Sequence, residues 1–359
     1  MVGRSRICFH PAIFAIIWLL NPARGMADLH FSDVGEAAGA SYLHGFSTNE
    51  DFGFRGQAGG VAAGDFDRDG DVDLYVVTGD ISPNALLVNN GQGSFTDHSG
   101  PAGVGLVGHI SNGPAFSDID GDGWLDLVVG GVAGSGYFLF RNMQDGTFTD
   151  VTERSGIYLQ ESFQSDWSSA FGDPDGDGDL DVFISHWGAE QYINHLWLND
   201  GSGRFHPSDE FTGVMPEDGI GEKIPFSADS DRSFTPTFSD INADGRQDIL
   251  LAADFGSSQV LINTSALPEF EYITTEEVDD ENGMGSAVAD FDNDGDFDWF
   301  VTSIYHEDGS AGPIGSSGNR LYVNDGEGDF INVTEGSGVV NGHWGWGACA
   351  ADFNNDGWL

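Results

Sequence analysis

Aspartates at alternate positions around a glycine recur six times along this chain, and no other pattern in it has chemistry as evident. The first copy holds Asp65, Asp67, Asp69, Asp71 and Asp73, and the second holds Asp118, Asp120, Asp122 and Asp126 with Trp124 at the seventh place. Asp173, Asp175, Asp177, Asp179 and Asp181 form the third, and Asp240, Asn242, Asp244, Arg246 and Asp248 the fourth. The fifth is Asp290, Asp292, Asp294, Asp296 and Asp298, and the sixth Asp352, Asn354 and Asp356. Side-chain oxygens at positions 1, 3 and 5, a backbone carbonyl at 7 and a carboxylate at 9 can wrap one hard cation that takes roughly six to eight oxygens, which predicts about one Ca2+ per complete repeat. The fourth loop, with Asn242 in place of a carboxylate, is expected to bind more weakly, and the sixth, which reaches only Leu359, has too few ligands. Position 6 is glycine throughout (Gly70, Gly123, Gly178, Gly245, Gly295, Gly357), as a left-handed turn onto one ion requires.

What positions these loops is legible in the residues after them. An EF-hand opens with the same D-x-D-x-D-G run but needs a bidentate Glu at position 12 and flanking helices. Here position 12 is Val76, Val129, Ile184, Leu251 or Val301, and position 9 leads into β-branched and aromatic runs such as Leu74–Thr78 and Trp299–Thr302. The helical readings, EF-hand and dockerin, therefore fail, and each loop is expected to open into a β-strand.

First aspartates stand 53, 55, 67, 50 and 62 residues apart, the beat of a repeat array. A second motif keeps that beat: Asn89-Asn-Gly91 through Phe95 recurs from Asn142, Asn199 and Asn324 as a hairpin turn between short strands, and the fourth repeat has Asn263-Thr-Ser265 instead. One repeat then reads as a four-stranded antiparallel propeller blade with a calcium loop between its first two strands. Small residues before the loops (Gly60–Gly64, Gly285–Ala289, Gly347–Ala351) suit inner strands crowded around an axis. Phe31–Val34 matches Phe148–Val151 and is expected to be the outer strand that closes a ring. Because the sequence stops within the sixth loop, the expected architecture is an all-β propeller truncated from a seven-bladed ring.

These residues resemble a known family. Val61–Leu74 and Asn142–Thr152 are similar to FG-GAP or VCBS repeats, the units of integrin α-chain-like propellers, and the chain resembles most the secreted bacterial relatives of the cartilage acidic proteins over residues 31–359. The resemblance implies a calcium-stabilised β-propeller, extracellular and concerned with binding or adhesion. It carries over onto the loop carboxylates and brings no catalytic residue.

With 59 acidic against 12 basic residues the formal charge is −47, which excludes a phosphate-binding surface and so a nucleic-acid partner. Adhesion to anionic membranes is excluded on the same ground. The excess charge is read as solubility rather than as a device for a cationic partner. Arg4 and Arg6 precede the apolar run Ala12–Leu20 and small residues near Ala27, so residues 1–27 read as an export signal and 28–359 as the mature propeller. That run is too short for a membrane span, and the expected location is secreted, periplasmic or extracellular. Cys8 leaves with the signal, and Cys349 is expected to be a core residue in a small-residue strand.

If the acidic loops and Asn-Gly turns share one face, the long variable loops build the other, and bulky residues gather there. Trp167, Phe234 and Trp346 stand six places before a loop, and with His186, Trp187, Tyr305, His306, His343 and Trp344 they are the candidate ligand residues, for a glycan or protein. The plainer reading is that the residues six places before the loops plug the axis. His109, His186, His306 and His343 could meet as a metal or acid/base cluster, or simply be scattered. No nucleophile elbow, zinc-protease helix or phosphate loop is present in the sequence. The expected function is a calcium-binding adhesion or binding module, not an enzyme. The alternative is a carbohydrate-active or other enzyme with its groups in a central pocket or in a C-terminal part beyond Leu359.

Overall fold

Each of the first five acidic loops is closed by a backbone pair between its position-9 aspartate and the residue just before the loop: Gly64 with Asp73, Ser117 with Asp126, Gly172 with Asp181, Ser239 with Asp248 and Ala289 with Asp298. The loop is thus an insertion between two paired strands, fixed at both ends by the ladder. The computed structural model describes residues 31–47, 58–132, 134–157, 166–190, 196–208, 230–265, 268–273, 277–307 and 315–359. Residues 1–34 cluster apart from the unit Gly35–Leu359, and of that first stretch only 31–34 are described. Residues 1–27, expected to be an export signal, and much of the variable loops lie outside the described residues.

Within Gly35–Leu359 the strands run as consecutive antiparallel meanders. The first sheet is β1 (Val61–Gly64), β2 (Asp73–Val76), β3 (Ala85–Asn89) and β4 (Phe95–Asp97). The second is β5 (Ser111–Ser117), β6 (Asp126–Gly131), β7 (Phe138–Asn142) and β8 (Phe148–Asp150). β9 (Asp166–Gly172), β10 (Asp181–Glu190), β11 (Leu196–Asn199) and β12 (Phe205–Pro207) form the third, and β13 (Ser230–Ser239), β14 (Asp248–Ala253), β15 (Gln259–Asn263) and β16 (Phe270–Ile273) the fourth. The last is β17 (Ser286–Ala289), β18 (Asp298–Val301), β19 (Arg320–Asn324) and β20 (Phe330–Asn332). Three single-turn helices, α1 (Gly35–Ala38), α2 (Ser99–Ala102) and α3 (Thr152–Ser155), complete the described elements. The fold is all-β and consistent with a propeller.

The first strands of successive sheets pack side by side, β1 on β5, β5 on β9, β9 on β13 and β13 on β17. β1 and β17 meet this crowding with small residues, whereas β5, β9 and β13 place Phe116, Phe171 and Phe238 two positions before their loops. Side chains of facing sheets fill the layers between them: Phe66, Tyr75, Leu127 and Phe140 between the first and second, Val128, Ile184 and Trp197 between the second and third. Phe183 and Leu251 lie between the third and fourth, and Ile241, Trp299 and Tyr322 between the fourth and fifth. Burying one such side chain is worth roughly 1.5–3 kcal/mol, so the interfaces between sheets, more than any single sheet, hold the unit together.

The third and fourth sheets are fused. β10 continues past its partner β9, and its end pairs with β13 through Trp187 with Arg232 and Glu190 with Ser230. His186 and Trp187, expected in a variable loop, therefore stand in a strand. Two further expectations are corrected. Gly347–Ala351 forms no strand, and Cys349 is exposed rather than in a core. The residues that pair with β1, β5, β9, β13 and β17 begin at loop position 9, and the sixth loop stops one residue short of it, so this segment has no ladder to join. Phe31–Val34 is likewise not a strand, although the helix α1 and Gly39 (φ 76°) that follow it match α2 with Gly103 and α3 with Gly156, both at φ 82°.

Candidate functional site

All six acidic loops share one backbone turn. Position 6 is left-handed throughout, from Gly123 at φ 87° to Gly295 at φ 105°, and so is position 4, at Arg68, Gly121, Gly176, Ala243, Asn293 and Asn355. The sequence announces the first of these by its glycine and hides the second, since four of the six residues there carry side chains. The position-1 aspartate holds the turn: Asp65 accepts the N–H groups of Asp69 and Gly70 at 3.0 Å each, and Asp352 accepts those of Asp356 and Gly357 at 3.1 and 2.7 Å. Position 5 accepts the N–H of position 7, as Asp177 does from Asp179 at 3.0 Å. The sixth loop is therefore formed even without a following strand.

Position 9 is the buried anchor. Asp73, Asp181, Asp248 and Asp298 are fully buried, and Asp126 almost so. Each accepts the backbone N–H of the first Asn of its own sheet's turn: Asn89 at 2.8 Å, Asn142 and Asn199 at 2.7 Å, Asn263 at 2.8 Å and Asn324 at 3.0 Å. Burial pushes the carboxyl of Asp73 up to about 6, of Asp126 to about 7 and of Asp181 to about 8, with hydrogen bonds opposing and neighbouring carboxylates adding to the rise. Asp248 and Asp298 are likewise raised to about 6. At position 3, burial and then the adjacent carboxylates raise Asp67 and Asp292.

Whether these residues suit a calcium ion differs from loop to loop. Asp65, Asp67 and Asp73 bring ligand oxygens within 4.8 Å of one another, as do Asp173, Asp175 and Asp181, and Asp290, Asp292 and Asp294. In the first and third loops the buried Oδ2 atoms of Asp73 and Asp181 have no hydrogen-bond partner, and Asp173 Oδ1 also has none. A buried unpartnered carboxylate oxygen is costly, and a cation in the cage satisfies it. The second loop gathers Asp118, Asp120 and Asp122 just as closely, but an arginine lies on it. No such trio forms in the fourth loop, where Asn242 replaces the carboxylate, or in the sixth, among the described residues.

Arg141, the residue before Asn142 in β7, places Nη2 2.5 Å from Asp120 Oδ2 and 3.3 Å from Asp122 Oδ2. The first contact is an ion pair without the alignment of a hydrogen bond, and Asp120 Oδ1 beside it is buried and has no partner. Burial raises Asp120 and Arg141 opposes the rise. For Asp122 burial is outweighed by the Trp124 N–H, Gln144 and Arg141, and its carboxyl sits below the ordinary range. In the fourth loop the Arg246 guanidinium contacts Asp244 and donates Nε to the Asn263 carbonyl at 2.9 Å.

The structure adds a tie between repeats that sequence reasoning missed. Asn142 Nδ2 donates to the carbonyl of Phe66, the second residue of the first loop, at 2.9 Å. Asn199 reaches Ile119, Asn263 reaches Pro174 and Asn324 reaches Ile241 in the same way, at 2.7, 2.6 and 2.7 Å. The signal was Asn263, which keeps its asparagine where the fourth repeat loses the glycines of the turn.

At the other end of the sheets the candidate ligand residues fall into two groups. Trp167 and Phe234, both 5% exposed, pack with Trp346 and Trp187 at ring-centroid distances of 5.1–6.1 Å in one aromatic cluster. His186 is fully buried, 2.8 Å from Asp166. Tyr305, His343 and Trp344 meet where two chain segments cross: Tyr305 N–H donates to the His343 carbonyl at 2.6 Å and Ile304 pairs with Trp344. Trp344, His343 and His306 are exposed. His109 stands apart, against Phe138 and the Ser135 carbonyl, so the four histidines form no metal cluster.

Comparison with known proteins follows the repeats. A family model described as FG-GAP-like repeat matches residues 65–129, 118–184, 240–301 and 310–359. No curated protein matches the chain. Among solved structures, an Agrocybe aegerita lectin described by its recognition of non-reducing terminal N-acetylglucosamine is similar at 19% identity and TM-score 0.44, over 76% of this chain and 64% of that one. A V. cholerae biofilm matrix protein is similar at 15% identity and TM-score 0.37, over 76% of this chain and 38% of its own. The chain spans less than two thirds of the length of either, and scores this low carry no argument about function. The family matches together cover more than half of the residues and fall on the loop-and-strand units, so the chain belongs to the FG-GAP-like repeat proteins.

Proposed function

We propose that this chain is a calcium-stabilised β-propeller acting as a secreted binding or adhesion module, which holds a glycan or protein ligand on the end of its sheets opposite the acidic loops. The observation that carries the metal reading is the pair of buried, partnerless oxygens, Asp73 Oδ2 and Asp181 Oδ2, each inside a close carboxylate trio. Bound calcium supplies positive charge that cancels the mutual repulsion of those carboxylates. The chain's own part is to hold the oxygens in place, through the turn closed by position 1 and the strand pair at position 9. The sheets act as blades, joined by the asparagine ties between successive repeats.

For the ligand end, the support is the exposed group of Trp344, His343 and His306, an apolar ring beside polar heads, the mixture that sugar and peptide recognition uses. An enzyme reading has one observation in its favour, the His186–Asp166 pair at 2.8 Å. Because His186 is fully buried, we read that pair as a tie between β9 and β10. The test is a screen of immobilised glycans and candidate proteins, in calcium, with the wild type and Trp344→Ala. Binding that Trp344→Ala abolishes without lowering the melting temperature supports the assignment of that end, and binding unchanged by it contradicts the assignment. Secretion is checked by the N-terminus of the exported product, expected near residue 28; retention of residues 1–27 in the cell interior contradicts it.

A further inference from the structure

The repeats are not equivalent around their loops, and the difference alternates. In the first, third and fifth loops position 7 is Asp71, Asp179 or Asp296, whereas in the second and fourth it is Trp124 or Arg246. An arginine also lies on each of these two even-numbered loops. Arg141 bridges Asp120 and Asp122, and Arg246 pairs with Asp244. Among the described residues these are the ion pairs that loop carboxylates make. The residue corresponding to Arg141 in the other sheets, one place before the tying asparagine, is Val88, Leu198, Ile262 or Val323, none of which can supply charge. In a chain with only 12 basic residues, two guanidinium groups on these two loops are a substantial share of its positive charge.

We propose that Arg141 and Arg246 are built-in counter-cations, which divide the repeats into calcium cages at the first, third and fifth loops and arginine-braced turns at the second and fourth. The proposal rests on the calcium reading above. A guanidinium is charged at every accessible pH, and through its one Nη2 atom Arg141 reaches a carboxylate oxygen of both Asp120 and Asp122, so it can hold the two without a metal. A divalent ion entering the second loop must displace Arg141 or bear its repulsion at close range. Gln144 Nε2, donating to Asp122 Oδ2 at 3.0 Å, occupies the same oxygen and reinforces the exclusion. The fourth loop is more firmly closed, because Asn242 removes a carboxylate as well.

Trp124 makes the second loop individually observable, since an indole within the loop transfers excitation to a bound terbium(III) ion. Terbium emission excited through tryptophan is titrated in four full-length proteins: wild type, Arg141→Gln, Trp124→Phe, and the double substitution. Total bound terbium, and its displacement by calcium, are measured alongside. The expected result is wild-type emission indistinguishable from Trp124→Phe, and in Arg141→Gln a new Trp124-dependent signal at terbium concentrations at least about tenfold below any seen in the wild type. Arg141→Val, the residue found at this place in the first and fifth sheets, should give the same gain, which separates loss of charge from the choice of replacement. Wild-type emission that already depends on Trp124 in the range that fills the other loops overturns the proposal, as does Arg141→Gln without new emission while the other loops bind. If no protein binds terbium or calcium at all, the metal reading itself falls and this proposal with it.

Discussion

Asn142 Nδ2 donates to the Phe66 carbonyl across 76 residues of sequence, at 2.9 Å, while its own backbone N–H is held by Asp126 at 2.7 Å. One asparagine thus joins the second residue of one acidic loop to the ninth residue of the next. The three later repeats preserve the pair of bonds, so the loops form a chain in which each is fastened to its neighbour as well as to its own sheet. Those four asparagines are all buried, whereas Asn89 of the first sheet is partly exposed and its side chain bonds only the carbonyl of Val72 and the N–H of Gly91, within its own repeat.

Asn142→Ala should therefore destabilise the fold by about 1–3 kcal/mol, since it leaves the buried Phe66 carbonyl without its partner. Asn89→Ala should cost clearly less. Denaturant melts of the two variants side by side check this, and equal losses would mean the tie between repeats contributes nothing.

Asp181→Asn should change sign with calcium. Asp181 is fully buried and pushed up to about 8, so without metal it must either take up a proton or carry a buried charge, a cost that the amide removes while still accepting the Asn199 N–H. With metal, the amide is a poorer ligand than the carboxylate it replaces. The expected outcome is a higher melting temperature than wild type in EDTA and a lower one in calcium.

The same groups set a pH dependence. In the absence of metal the carboxyls of Asp73, Asp248 and Asp298 sit at about 6, Asp126 at about 7 and Asp181 at about 8, all above the 3.8 of an unperturbed Asp. The native state therefore keeps protons that the unfolded chain releases. Their contribution to stability is full below about pH 4 and is lost as pH rises through about 6 to 8. Melting in EDTA should fall across that window, and the gain from calcium should grow across it, because calcium then no longer competes with protons. A flat EDTA profile would contradict the burial of these carboxyls.

Trp167→Ala should cost about 3–5 kcal/mol, because it empties the buried aromatic cluster, whereas Trp344→Ala should leave the melt almost unchanged. Trp167 is 5% exposed and Trp344 57%. Comparable losses would mean that the two aromatic groups have been assigned the wrong roles.

How much of this was legible in the sequence depends on how local each feature is. The acidic loops, the strands after them and the Asn-Gly turns are written in residues a few positions apart, and Leu74–Val76 or Trp299–Val301 could be read as strand without knowing their neighbours. Features that need a distant partner were not legible. Cys349 looks like an inner-strand residue by its small neighbours, yet a strand exists only with a ladder, and none forms there. His186 and Trp187 look like loop residues until Arg232 pairs with Trp187 across a long variable segment. Arg141 reads as an ordinary exposed strand residue, and only the fold brings it to Asp120, 21 positions back in the sequence.

The most direct test of the account is a thermal melt of the mature chain in calcium, in EDTA, and in EDTA with excess magnesium. Filling a site at about a hundred times its Kd adds about 2.7 kcal/mol, and several sites add together, so the predicted result is a gain of many degrees in calcium that magnesium does not reproduce. A melt unchanged by EDTA, or restored equally by magnesium, would contradict the claim that calcium cages stabilise this fold.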